Sequence, residues 1–117
     1  VTAQSAAFLD DLAPGSAMTV SVTAADGSDL LLALVRAQDG SVYALDDECS
    51  HGRASLGDGD VLTERGVCSV ECWKHGSRFD VTTGRPLGPP ASQPVTTYPV
   101  TIDGEIVLVD VDSPVRT

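Results

Sequence analysis

Two short segments, Cys49-Ser50-His51 and Cys72-Trp73-Lys74-His75, each offer one thiol and one imidazole. Side chains alternate between faces in extended chain, so Cys-x-His sets its two donors on one face, whereas Cys-x-x-His needs a turn to bring its two together. Each pair therefore converges on a point. The 20 residues between His51 and Cys72 span far more than a binding site requires, at roughly 3.3 Å per extended residue. Two loops can approach one site from opposite sides, and the four donors read as metal ligands. A chain that must present them needs a scaffold that holds two loops close together.

The flanking sequence supplies β-structure for that scaffold. Met18–Thr23 alternates apolar and hydroxylated residues, the mark of a half-buried strand, and Asp26-Gly27 follows as a hairpin turn. Leu30–Arg36 is the expected return strand. Its unbroken apolar character suggests burial on both faces, although a short buried helix would read the same way. Asp39-Gly40 turns the chain into Ser41–Leu45, which delivers it to the first loop. Gly57, Gly59 and Gly66 mark further loop, Val67–Val70 and Ser77–Val81 read as strands around the second loop, and Thr82–Arg85 reads as a turn. Pro86, Pro89, Pro90 and Pro94 make a rigid segment short of backbone donors. Tyr98–Ile102 and Glu105–Val111 form a third hairpin about Asp103-Gly104, with Val107, Val109 and Val111 on one face and Ile106, Leu108 and Asp110 on the other. Residues 1–12 show no clear period before Phe8-Leu9 and read as a loosely held lead-in closed by Pro14-Gly15. With no helical period and no internal repeat, the reading is all-β with antiparallel sheets.

At 117 residues the chain is expected to form one domain, 1–117. Aromatic residues make up only 4%, so the core must come mainly from Val, Leu and Ala. The longest apolar run, Leu30–Val35, falls far short of the roughly 20 residues of a membrane-spanning helix. The N-terminus lacks a basic segment followed by an apolar one. We expect a soluble cytoplasmic protein without a membrane partner. Three cysteines, two beside histidine at ligand spacing, make a poor disulfide framework and fit a reducing compartment. The net charge of −10 is unevenly placed: between Cys49 and Gly88 five acids balance five bases, and elsewhere twelve acids face only Arg36 and Arg116. An acidic body disfavours nucleic acid as a partner.

Cys-x-His, a spacer of this order, then Cys-x-x-His followed by Gly76-Ser77-Arg78-Phe79-Asp80 and Thr83-Gly84 resembles the Rieske iron-sulfur family. The resemblance is strongest from about Asp46 to Pro94, and within the family it is nearest to the small ferredoxins of multicomponent non-haem iron oxygenases. It implies the Rieske fold: a β-sandwich base into which a two-loop cluster-binding region, about residues 46–94, is inserted. It also implies one [2Fe-2S] cluster, with Cys49 and Cys72 on one iron and His51 and His75 on the other. Structural zinc is the rival, because two Cys and two His are also an acceptable zinc set. Zinc fingers usually pair like with like, whereas one Cys and one His per loop suits a cluster with two different ends. High-potential Rieske proteins carry an additional disulfide between the loops. The counterparts here are Ala54 and Lys74, which argues against a quinol-oxidising subunit.

Charge explains the mixed ligand set. Two ferric irons, two sulfides and two thiolates sum to zero, so neutral imidazoles leave the oxidised cluster uncharged, and an electron is added more easily than to a four-thiolate cluster. Rieske potentials accordingly lie at about −150 to +300 mV against about −400 mV for plant-type ferredoxins. High-potential members add hydroxyls from a Ser and a Tyr after the second His; here those positions hold Ser77 and Phe79. One donor is missing, which implies the lower part of the range. Reduction should also make His51 and His75 hold their outer protons more tightly, so that the potential depends on pH. Arg53, Trp73, Lys74 and Pro89 are candidates for partner contact at the tip, with Trp73 read first as a cover over the cluster. Cys68 reads as a small buried hydrophobe.

A terminal oxygenase needs a further iron on two His and a carboxylate, and both histidines are already used. No dinucleotide-binding Gly-rich turn follows a strand, so the chain is not the reductase. The resemblance thus implies no enzyme but a one-electron carrier between a ferredoxin reductase and a terminal oxygenase. The alternatives are the Rieske-like small subunit of a cytoplasmic nitrite reductase, or a redox-sensing or iron-sulfur-assembly protein.

Overall fold

The computed structural model describes residues 4–24, 26–48, 55–73, 76–87 and 93–111. The chain runs β1 (Gln4–Phe8), β2 (Ser16–Thr23), β3 (Asp29–Arg36), β4 (Val42–Asp46), β5 (Asp60–Glu64), β6 (Val67–Glu71), β7 (Arg78–Asp80), β8 (Thr97–Tyr98), β9 (Val100–Asp103) and β10 (Ile106–Val109). Single 3-10 turns occupy Leu9–Asp11 and Leu56–Asp58. Among the described residues there is no α-helix, and no helix long and apolar enough to cross a membrane.

The strands make three antiparallel sheets, ordered β1-β10-β9, β2-β3-β4-β8 and β5-β6-β7. The four-stranded sheet lies between two cores, and β3 shows why its sequence is apolar throughout. Leu32 and Leu34 face one core, with Val107 and Val109 of β10. Ala33 and Val35 face the other, with Leu56, Val70 and Phe79. A strand buried on both faces has no polar side to show. β4 divides the same way, sending Val42 and Ala44 to the first core and Leu45 to the second. The two-sided burial expected of Leu30–Arg36 is therefore present over its central residues, although Leu31 remains exposed.

Three local expectations need correction. The lead-in is strand β1, paired with β10 through a register shift between Ser5 and Ala7. The Gln4 side-chain amide donates to the Thr23 carbonyl at 2.6 Å and accepts the Thr23 N–H at 3.3 Å, acting as a surrogate peptide group. Gln-Ser-Ala-Ala-Phe carries no period-two signal, and its partner strand is a hundred residues away. β5 stands where glycines suggested only loop; it is a mostly exposed edge strand pairing with β6. Tyr98 does not join the third hairpin but pairs with Ala44 in the central sheet. Pro99 follows without an N–H to extend that ladder, and the chain crosses to the first sheet as β9. The Tyr98 hydroxyl donates to Asp46 at 2.8 Å, and its burial, then that carboxylate, pushes its pKa upward.

The turn after β7 is locked to the segment entering β8. Gly84 N–H donates to the Asp80 carbonyl at 2.7 Å, and the Gly84 carbonyl accepts from Val95 N–H at 2.8 Å. Gly84 has φ +77°, and a β-carbon there would collide with the Val95 carbonyl oxygen. Gly104 also has positive φ, +62°, but open space around it. Gly84→Ala is therefore expected to destabilise by on the order of 3 kcal/mol, backbone strain plus the collision, and Gly104→Ala by only about 1 kcal/mol. Equal shifts in denaturant midpoint would show that the contact with Val95 contributes nothing.

Candidate metal centre

Of the four expected ligands, Cys72 lies within the described residues; Cys49, His51 and His75 lie outside them. Arg53, Lys74 and Pro89 also lie outside. Among the described residues no group of three or more Cys, His, Asp or Glu side chains is arranged to hold a metal ion.

The second loop is built on the β6–β7 hairpin. β6 carries the chain to Cys72, whose N–H donates to the Ser77 carbonyl at 2.7 Å, while Gly76 N–H donates to the Cys72 carbonyl at 3.0 Å. Gly76 has φ +77°, a conformation that glycine adopts without steric cost. These two bonds close the turn that Cys-x-x-His requires. Cys72 is itself buried and belongs to the core between the central and third sheets.

Beyond the turn, residues alternate as strand geometry dictates. Ser77 and Phe79 point inward and are fully buried, while Arg78 between them is partly exposed. Arg78 pairs with Glu71 at 3.0 Å and, at 3.5 Å, with Glu64; on an open surface such pairs contribute about 0–1 kcal/mol. Phe79 sits opposite Val70 and bridges to Pro86. Leu87 N–H donates to the Arg78 carbonyl at 2.8 Å, so the proline segment leaves along β7. Among the described residues the buried Ser77 hydroxyl has no hydrogen-bond partner. An orphaned buried hydroxyl is costly unless something accepts its proton.

The flanks of the first loop are also placed. Glu48 and Ser55 face each other in an antiparallel bridge, and Leu56 N–H donates to the Asp47 carbonyl at 2.6 Å. Trp73, for which a cover over the cluster and a docking contact are the two readings, is 61% exposed beside Cys72. Cys68 is buried on β6 as expected, in the same core as Phe79. Burial pushes its thiol pKa up, partly offset by a hydrogen bond with Thr63, its cross-strand partner. Sequence reasoning missed Asp47. Nothing local separates it from Asp46 and Glu48, since one of its partners, Thr19, lies 28 residues away.

Comparison with known proteins bears on this hairpin and its frame together. A family model for the Rieske [2Fe-2S] domain matches residues 2–99. The ferredoxin component of a naphthalene 1,2-dioxygenase system from Pseudomonas aeruginosa is 40% identical over 105 residues, covering 90% of this chain and 91% of that protein. Among solved structures, the ferredoxin of carbazole 1,9a-dioxygenase from Nocardioides aromaticivorans IC177 superposes with a TM-score of 0.76 at 38% identity, covering 93% of this chain and 97% of that one. A chain from a complex of reduced oxygenase and oxidized ferredoxin in carbazole 1,9a-dioxygenase gives a TM-score of 0.74 at 30% identity, covering 93% of each.

Proposed function

The chain belongs to the Rieske [2Fe-2S] family, and from that premise we propose that Cys49 and Cys72 hold one iron of a single cluster and His51 and His75 the other. When bound, such a cluster accepts and releases one electron. The protein is an electron carrier, a ferredoxin component and not a catalytic enzyme. Its partners are a reductase that supplies the electron and a terminal oxygenase that takes it. The nitrite-reductase reading is less supported: dioxygenase ferredoxins are 40% and 36% identical over 90% and 94% of this chain, whereas two nitrite reductase small subunits of similar fold and coverage are 28% and 30% identical. We read residues 1–117 as one Rieske domain with the cluster region near 46–94. We place it in the cytoplasm, in keeping with two described cysteines that are both free.

The observation that carries the ligand reading is the Ser77 hydroxyl, buried and unpartnered on the strand leaving the Cys72 turn. A cluster sulfur would supply the missing acceptor. One thiolate and one imidazole from each loop, two of each in all, make a donor set whose chemistry fits the group. Purified protein should be reddish-brown, contain two irons and two sulfides per chain, and give a rhombic reduced paramagnetic signal of low average g. A colourless, zinc-bearing protein that cannot be reconstituted with iron and sulfide would remove the reading.

Ser77 then sets the potential, since hydrogen bonds to cluster sulfur favour the reduced, more negative state. Ser77→Ala should lower the reduction potential by about 59 mV or more, a tenfold change for one electron, in line with a hydrogen bond to a charged group. Phe79→Tyr should raise it if the new hydroxyl reaches sulfur. Redox titration of the three proteins decides; an unchanged potential in Ser77→Ala would mean that its hydroxyl does not touch the cluster.

A further inference from the structure

Asp47 is buried, 6% exposed, and one of its oxygens gathers three hydrogen bonds. Oδ1 accepts from the Ser55 hydroxyl at 2.8 Å, the Thr19 hydroxyl at 2.9 Å and the Gly57 N–H at 2.9 Å. The two hydroxyls lie 2.9 Å from each other. Each has one proton, so either both donate to the carboxylate or one relays through the other. These donors come from three places: β2, the residue that re-enters after the first loop, and the 3-10 turn beyond it. The Asp47 main chain adds its own ties, donating to the Leu31 carbonyl at 3.2 Å and accepting from Leu56.

The packing leaves no slack in this joint. A β-carbon on Gly57 would collide with the Thr19 hydroxyl and would come within 2.8 Å of the Met18 and Thr19 backbone. Burying a carboxylate costs free energy that three donors offset. The sheet does not need it, because β2 and β3 already pair along eight residues each. What the carboxylate does join is the two flanks of the first loop, Asp47-Glu48 on entry and Ser55-Gly57 on exit, to the rigid central sheet.

We propose that Asp47 is a positioning residue for the cluster: it fixes the two flanks of the first loop so that Cys49 and His51 are presented to iron already in place. This rests on reading those two residues as ligands. A loop whose ends are fixed by the protein keeps hold of its metal while individual ligand bonds open and close; a loop with loose ends loses it. Supporting groups around metal ligands typically change affinity by about 10- to 100-fold when removed.

The test is the rate at which a chelator bleaches the visible absorption of the cluster-loaded full chain, well below its unfolding temperature. Ser55→Ala and Asp47→Asn should bleach about 10- to 100-fold faster than wild type, and Asp47→Leu, with no acceptor at all, faster still. Val107→Ala serves as the control, because it opens the distant first core without touching the joint; it should melt earlier yet bleach at the wild-type rate. Should Asp47→Leu fail to fold, Ser55→Ala still decides. Wild-type rates in Ser55→Ala and Asp47→Asn would overturn the proposal. So would bleaching of Val107→Ala as fast as theirs for the same loss of thermal stability. A wild-type chain that takes up no cluster would instead overturn the ligand assignment itself.

Discussion

Serine in place of Cys72 is expected to leave a folded chain that holds no [2Fe-2S] cluster, while serine in place of Cys68 leaves the cluster whole. The two cysteines lie four residues apart, and both are buried in one core. Thiolate is the form that binds metal, and a serine hydroxyl does not ionise near neutral pH. Cys72 follows β6 directly, its N–H donating to the Ser77 carbonyl and its carbonyl accepting from Gly76 N–H. Cys68 sits within the ladder opposite Thr63, and burial holds its thiol protonated. Iron and sulfide analysis with the visible spectrum separates the outcomes. A full cluster in Cys72→Ser would remove that residue from the ligand set, and an equal loss in Cys68→Ser would add the other to it.

Phe79→Ala should cost about 3–5 kcal/mol, the range for truncating a fully buried aromatic side chain. Phe79 is 0% exposed and is the largest fully buried side chain among the described residues. It fills the core between the central and third sheets, with Leu45, Leu56 and Val70 in the same cluster. Tyr43 also packs against this core, but it is only partly buried there. The cavity would open next to Cys72 and Ser77, so cluster retention should fall together with stability. Denaturant unfolding of the metal-free chain measures the first and chelator bleaching the second. A loss below about 1 kcal/mol would mean the site collapses around the missing ring, and that the third sheet is held mainly by its own hydrogen bonds.

Phe79 also shows how structure and chemistry overlap in this chain. At its position a tyrosine would add a hydroxyl on the same inward face as Ser77, because residues two apart on a strand share a face. Under the proposed ligand set, packing and potential are both set by neighbouring atoms of one hairpin. A substitution there is best judged by both stability and potential.

The three Asp-Gly turns and the two-sided burial of β3 were legible because each rests on spacing or periodicity within a few residues, and the four proposed ligands are named by spacing of the same local kind. Val107, Val109 and Val111 were likewise grouped on one face by period-two alternation, and the structure shows that this face is the buried one. What needed the folded chain was everything whose partner is distant. β1 has no pattern of its own and becomes a strand because β10 offers an unpaired edge. Tyr98 leaves its apparent hairpin because β4 has an open edge and Pro99 interrupts the ladder. Asp47 is indistinguishable in sequence from Asp46 and Glu48, yet it alone of the three is buried, because Thr19, Ser55 and Gly57 converge on it. The sequence by itself determined which chemistry the chain can host, since ligand type and spacing are local. The tertiary structure decided which groups hold that chemistry in place, since hydrogen bonds and burial depend on residues that only folding brings together.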